Sequence, residues 1–328
     1  MAVLALATIA GCMRFAVDPH STPNAVKLRG GEARVPMRVV AGAPLVEVTI
    51  GGKGPYWFLV DTGSQITVVD RRVASEAGLR PRVRTLSLDK IAGEAASRDL
   101  RRRGFVRVPT LKLSDGSYFD ELDAHVHSTE PLAKALAHPV DGVLGRPLIA
   151  RARFTLDYGA GELVVDREAG RMPDGRNVFR VTQIGGLPSI TAAIGAWLVT
   201  PVIDTGSQAG LSLGEADADG VKYLEEPEPF PIDSARLGGQ VARAGRVSGI
   251  FRLGAIQVED PVALIGGNTH LGGEFLRQFS ITVDLRDSVR TIAFDPAGDV
   301  QLTAPLARRE ATPAADDGAA ADTADDTP

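Results

Sequence analysis

With one cysteine in 328 residues, this chain cannot close an internal disulfide, so packing and hydrogen bonds must hold it together. Aromatic residues are scarce at 5%, while glycine (36) and proline (21) are plentiful. That balance disfavours long packed helices and favours short strands joined by turns. Neither sign of charge is in large excess: the formal net charge of -5 excludes a general affinity for nucleic acid. No apolar run reaches the roughly 20 residues that a membrane-crossing helix requires. No Ser-His-Asp pattern, phosphate loop or dinucleotide fingerprint stands out. The length suffices for two domains, or for one built from two similar halves.

The single cysteine, Cys12, closes a short apolar stretch over residues 3–9, followed by Ala10 and Gly11. Small residues before a cysteine at the end of such a run resemble the lipobox of bacterial lipoproteins. That resemblance implies cleavage and lipidation at Cys12, a membrane anchor, and a place in the bacterial cell envelope facing the periplasm or the exterior. No Lys or Arg precedes the run, although export signals commonly start with one. A buried N-terminal strand is the alternative reading. Residues 13–34 lack a clear period and read as a tether. Residues 309–328 hold only Ala, Asp, Thr, Pro, Gly and two flanking charged residues, too few apolar groups to offset their ordering entropy, and read as a disordered acidic tail.

Between these ends the chain repeats itself. Trp57-Phe58-Leu59-Val60-Asp61-Thr62-Gly63-Ser64-Gln65 is matched by Thr200-Pro201-Val202-Ile203-Asp204-Thr205-Gly206-Ser207-Gln208, with the aspartates 204 − 61 = 143 positions apart. A second pair follows in the same order. Val143-Leu144-Gly145 precedes Asp157, and His270-Leu271-Gly272 precedes Asp284, at offsets of 157 − 145 = 12 and 284 − 272 = 12. A duplicated unit explains both matches, giving a first β lobe over 35–170 and a second over 171–308. Strands are expected at residues 45–50, 57–60, 106–108, 111–113, 190–195 and 281–283, with a turn at Gly51-Gly52. Helix is expected only at 131–137 and 274–279.

Asp-Thr-Gly-Ser after large apolar residues, present twice, resembles the active-site signature of the aspartic peptidases. The likeness runs from about residue 46 to residue 294. It implies an all-β fold of two lobes with a cleft between them, and peptide hydrolysis by water activated on an Asp61/Asp204 pair. Such chemistry needs one group to accept a proton from water and another to give one to the carbonyl oxygen. Two adjacent carboxyls sharing one proton supply both.

The resemblance also assigns the neighbours. Thr62 and Thr205 should bond across to the opposite loop, and Gly63 and Gly206 should let the loops approach. Ser64 and Ser207 should hydrogen-bond the outer carboxylate oxygens, while Gly145 and Gly272 pack under the loops. No metal or other cofactor is implied. The partner is a peptide or protein substrate, and one chain holding both aspartates suffices for catalysis.

Flap candidates are Ile91-Ala92-Gly93-Glu94 and Leu237-Gly238-Gly239-Gln240, centred on Ala92, Gly93, Gly238 and Gly239. No tyrosine lies between Trp57 and Tyr118. The pepsin-like enzymes carry one on the first flap, so the likeness is to the retropepsin-like bacterial branch. A non-catalytic lipoprotein binding a peptide or envelope component in the same cleft is the alternative, though such a relative would be expected to lose an aspartate. His125 and His127 share a strand face but lack a completing ligand cluster, and the arginines at 98, 101–103 and 107 read as a solvated edge.

Overall fold

The computed structural model describes residues 22–82, 104–230, 242–286 and 290–296. Cys12, all four flap residues (Ala92, Gly93, Gly238, Gly239), Arg98, Arg101 to Arg103 and the acidic tail lie outside them. The described chain is all-β, with five short α-helices.

In the first half, six strands close into a ring. Ala43–Ile50 pairs with Lys53–Val60, then Gly142–Leu144, Val68–Asp70, Tyr118–His127 and Phe105–Leu113 follow, and the last pairs back with Ala43–Ile50. The strand that pairs with Ala43–Ile50 outside the ring, Glu32–Val40, alternates cleanly: Ala33, Val35 and Met37 point inward between exposed Glu32, Arg34 and Pro36. The expected strands 106–108 and 111–113 prove to be one strand, Phe105–Leu113. Pro109 between them has no N–H to donate, and it sits exposed opposite Glu121, which takes a positive φ of 48°. Hydrogen-bonded register resumes on either side, at Val108 with Leu122 and Thr110 with Asp120.

In the second half, strands between residues 182 and 271 form an eight-stranded and a four-stranded sheet, while Val178–Arg180, Phe279–Asp284 and Thr291–Pro296 join the sheet of the first half. The halves join through strands Arg153–Asp157 and Phe279–Asp284, which pair antiparallel. Their register is symmetric. Thr155 lies ten residues after Gly145 and Thr282 ten after Gly272, and these equivalent residues face each other, hydroxyl to hydroxyl, at 2.9 Å.

Each half also lays a tight hairpin turn on the other. The Ala41-Gly42 turn rests on Gly273, where a Cβ on Gly42 would come 2.8 Å from the Gly273 carbonyl carbon. The Gly185-Gly186 turn rests on Gln65, whose Nε2 donates to the Gly185 carbonyl. Gly186 also faces Arg146, the counterpart of Gly273 in the residue after the packed glycine.

Two expectations change. Residues 25–34 are not a tether: Ala25–Lys27 pairs with residues 118–120, burying Val26, and strand Glu32–Val40 begins before residue 35. Helices form at Glu130–Leu136 and Gly273–Leu276 near the expected places, but Phe279 already opens a strand. Arg71–Glu76, Arg146–Ile149 and Glu215–Gly220 were not anticipated. They span only one to two turns, too short for a hydrophobic period, although Asp70 caps the first by accepting from the Arg72 N–H at 2.8 Å.

Gly42 tests the inter-half docking. Gly52 shares its left-handed backbone (φ 75° against 83°) but has open space around its Cα. Gly52→Ala should cost about 1–2 kcal/mol, the strain alone. Gly42→Ala should cost at least ~1 kcal/mol more, because the Gly273 backbone must move. Equal losses in urea unfolding would mean that the turn does not bear on the second half.

Candidate active site

The loops carrying Asp61 and Asp204 are each held by the same device. Strand Lys53–Val60 leads into Asp61, strand Val68–Asp70 leads away, and Gly142–Leu144 inserts between them, parallel to the first and antiparallel to the second. In the second half, His270–Leu271 inserts in the same way between Val202–Ile203 and Leu211–Leu213. The inserted strand pins its loop: Asp61 N–H donates to the Leu144 carbonyl at 3.0 Å, and Asp204 N–H to that of Leu271 at 2.9 Å.

The glycines ending the inserted strands are Gly145 and Gly272. A Cβ on Gly145 would collide with the Ile66 carbonyl, and one on Gly272 would sit 2.5 Å from the Ala209 carbonyl oxygen. The chain can therefore pass beneath each loop only as glycine. The next residues complete the contact, with Arg146 N–H donating to the Ser64 carbonyl at 2.8 Å and Gly273 N–H to that of Ser207 at 2.6 Å.

The two loops interlock through their threonines. Thr62 Oγ1 donates to the Ile203 carbonyl at 2.5 Å, and Thr205 Oγ1 donates to the Val60 carbonyl at 2.7 Å. Each hydroxyl oxygen also accepts the other threonine's backbone N–H, both at 3.1 Å. Both residues are at most 1% exposed. A buried polar group stripped of its partner costs about 1–3 kcal/mol, so this four-bond crossing resists separation of the halves.

The crossing brings the carboxyls face to face. A Cβ on Gly63 would lie 2.5 Å from Asp204 Oδ1, and one on Gly206 would lie 2.5 Å from Asp61 Oδ2. Any larger residue would push its side chain into the opposite carboxyl. Gly63 N–H donates to Asp61 Oδ1 at 2.8 Å, and the N–H groups of Gly206 and Ser207 donate to Asp204 Oδ1 at 3.0 and 3.1 Å.

Asp61 and Asp204 are each 3% exposed. Burial first, and then the charge and hydrogen bond of Asp204, hold the Asp61 carboxyl well above the ordinary carboxylate range. The Gly63 and Ser64 backbone amides pull in the opposite direction and lose. One proton retained between two buried carboxyls is what a site needs in order to offer a base and an acid together.

The serines depart from expectation. Ser64 Oγ donates to the Ile66 carbonyl at 2.8 Å, and Ser207 Oγ lies 2.9 Å from His270 Nε2, so neither hydroxyl is given to a carboxylate. A short turn puts the Ile66 carbonyl beside one, and a buried ring claims the other.

Sequence reasoning passed over two further groups. Tyr158 is one residue beyond Asp157, and its hydroxyl is buried with no hydrogen-bond partner among the described residues. Burial, then the charge of Asp204, hold this phenol above the ordinary tyrosine range. His270 lay within a quoted motif, and aligning the halves would have exposed it, because Val143 stands in its place. His125, singled out for its spacing to His127, rests its ring on Phe105 with centroids 4.2 Å apart. Arg107 pairs with Glu121 and Asp123 at 3.1 and 3.2 Å.

A family model described as aspartyl protease matches residues 46–148, the stretch from strand Ala43–Ile50 to the helix after Gly145. No curated protein matches the chain.

Because its folded-state carboxyl titrates above the unfolded one, Asp61 contributes stability below the ordinary carboxylate range. That contribution is lost as pH rises through the raised value. Wild-type stability should therefore fall over that interval, while Asp61→Asn flattens the fall and is the more stable protein at neutral pH. Parallel stability–pH curves from urea denaturation would contradict the buried repulsion.

Proposed function

We propose that this protein is an aspartic endopeptidase hydrolysing peptide bonds on the Asp61/Asp204 pair. The observation that carries the reading is the mutual burial of two carboxyls, each beside the other loop's glycine and held there by crossed threonines. The aspartyl-protease match over the first of the two loops supports it.

With one proton on the pair, the ionised carboxylate takes a proton from a water molecule as its oxygen adds to the peptide carbonyl carbon. The protonated partner gives its proton to the carbonyl oxygen, producing a neutral tetrahedral diol. Collapse then breaks the C–N bond: the protonated carboxyl gives its proton to the leaving nitrogen, the ionised partner takes one from a diol hydroxyl, and the pair is again singly protonated. No covalent enzyme intermediate forms. Rigid loops matter because catalysis of this kind depends on groups already in place when charge develops. Both carboxyls come from one chain, so a monomer is sufficient.

Digestion of a peptide library by the purified protein tests this. Asp61→Asn and Asp204→Asn should each reduce cleavage by at least about 10²-fold, the scale of a lost general acid or base. If wild type and both variants are equally inert from acid to neutral pH yet bind the same peptides, the site is a binding cleft instead.

We further propose, from residues 3–12 alone, that the enzyme is anchored to the bacterial envelope by lipid on Cys12. Cys12→Ser should release it from membranes, and the mature wild-type N-terminus should be residue 12. Membrane association that survives the substitution removes the anchor.

A further inference from the structure

The two halves match closely around the carboxyls, and one of the places where they differ is buried in the strand inserted beneath each loop. Val143 and His270 each stand two residues before the glycine packed under a loop. Each pairs with the residue two before its aspartate, Leu59 in one half and Val202 in the other. One half therefore places an aliphatic side chain where the other places an imidazole that is only 7% exposed.

The ring's two partners determine its protonation pattern. His270 Nδ1 lies 2.9 Å from the Asn268 carbonyl oxygen, and Nε2 lies 2.9 Å from Ser207 Oγ. A carbonyl can only accept, so Nδ1 carries a proton in both charge states. The neutral ring then presents a bare Nε2, to which Ser207 must donate. A second proton on the ring reverses this bond: Nε2–H donates to Ser207 Oγ, which already accepts from Ala209 N–H at 3.2 Å. The serine proton must then turn to a different acceptor. Ser207 belongs to the loop whose N–H groups hold Asp204 Oδ1.

We infer that His270 is a positioning residue for the second carboxyl, its charge state setting through Ser207 how well that loop stabilises negative charge on the Asp61–Asp204 pair. The consequence for catalysis rests on the peptidase reading, whereas the linkage between ring and carboxyl does not.

The ionisable groups on the surrounding elements are few. Strands Val202–Ile203 and Leu211–Leu213, on either side of the ring's own strand, carry none, and Asp204 follows the first of them. On helix Glu215–Gly220, Asp217 takes the Thr269 hydroxyl, Glu215 pairs with Arg243, and Asp219 is exposed to solvent. Beyond the ring, Glu274 pairs with Arg277. An imidazolium would thus be the cation bonded to the catalytic loop, in a buried setting where water screens it little.

The direction of the effect follows. The imidazolium, once formed, favours the ionised pair and opposes uptake of a second proton by the carboxyls. Without it, the pair needs a higher pH to reach its singly protonated state.

Nitrogen-15 NMR of the histidine rings in the wild-type protein tests the linkage without any need for activity. The neutral His270 ring should be the Nδ1–H tautomer. Its titration should move to lower pH in Asp204→Asn by at least about half a unit, with Asp61→Asn as a second variant. An Nε2–H tautomer, or a titration unchanged in both variants, would overturn the inference.

The catalytic arm is the pH profile of kcat/KM for His270→Gln and His270→Val, the latter being the residue in the other half. The acidic limb should move to higher pH in both, by at least about half a unit. An acidic limb unmoved in both would reduce His270 to packing. A wild type that cleaves nothing would count against the peptidase reading, and the NMR result would still decide the linkage.

Discussion

Two carboxyl groups pressed together away from water repel each other whenever both are charged, and the fold must supply the force that keeps them there. Burial alone makes the problem worse, since it removes the solvent that would screen the pair. Here the opposing force is mechanical and local. Each loop gives its threonine hydroxyl to a backbone carbonyl of the other loop and receives an amide in return. The loops therefore cannot part without breaking four buried hydrogen bonds. Retention of a proton by the pair relieves what repulsion remains, and that same proton is the acid on which the proposed hydrolysis draws.

Around this crossing the structure repeats one solution at larger scale: each half supplies what the other lacks. The inserted strands fix each loop from below, and the paired strands through Thr155 and Thr282 fix the halves relative to each other. The tight turns at Ala41-Gly42 and Gly185-Gly186 reach across and rest beside the opposite loop. The symmetry is incomplete where it matters chemically. Gly273 admits a backbone where Arg146 presents a guanidinium, and His270 stands where Val143 does. Two carboxyls in identical surroundings would have no built-in preference between them, whereas these differences give the second loop a titratable neighbour that the first does not have.

What could be read from the sequence was what the duplication wrote twice. Asp61, Thr62, Gly63 and Gly145 have counterparts in the same order, and the interlocked geometry gathers all eight residues at one place. Strands with clean alternation, such as 45–50 and 281–283, were legible for a similar reason, because a period of two needs only a few residues to declare itself. Groups whose roles depend on a partner brought in by the fold were not legible. The hydroxyls of Ser64 and Ser207 have identical local sequence but different acceptors, one a carbonyl two residues on and the other a ring 63 positions away. Tyr158 looks like an ordinary turn residue until the packing buries its hydroxyl near Asp204. The short helices carry too little pattern to be seen, and the strands expected at 106–108 and 111–113 are one strand that runs past Pro109.

The self-matching register of Arg153–Asp157 on Phe279–Asp284 has a further consequence, for where this chain can tolerate a change of length. Asp157 lies 157 − 61 = 96 residues after Asp61, but Asp284 only 284 − 204 = 80 after Asp204. The halves thus differ by sixteen residues between their two fixed points, yet both points still meet their counterparts. Length added between them is absorbed by loops and outer strands and never reaches the carboxyls. A single residue inserted between Phe154 and Asp157 is another matter. It would slide every pair along the joining strands and turn each side chain to the wrong face. Evolution and engineering can therefore reshape the loops around the carboxyls, provided that these few residues keep their count.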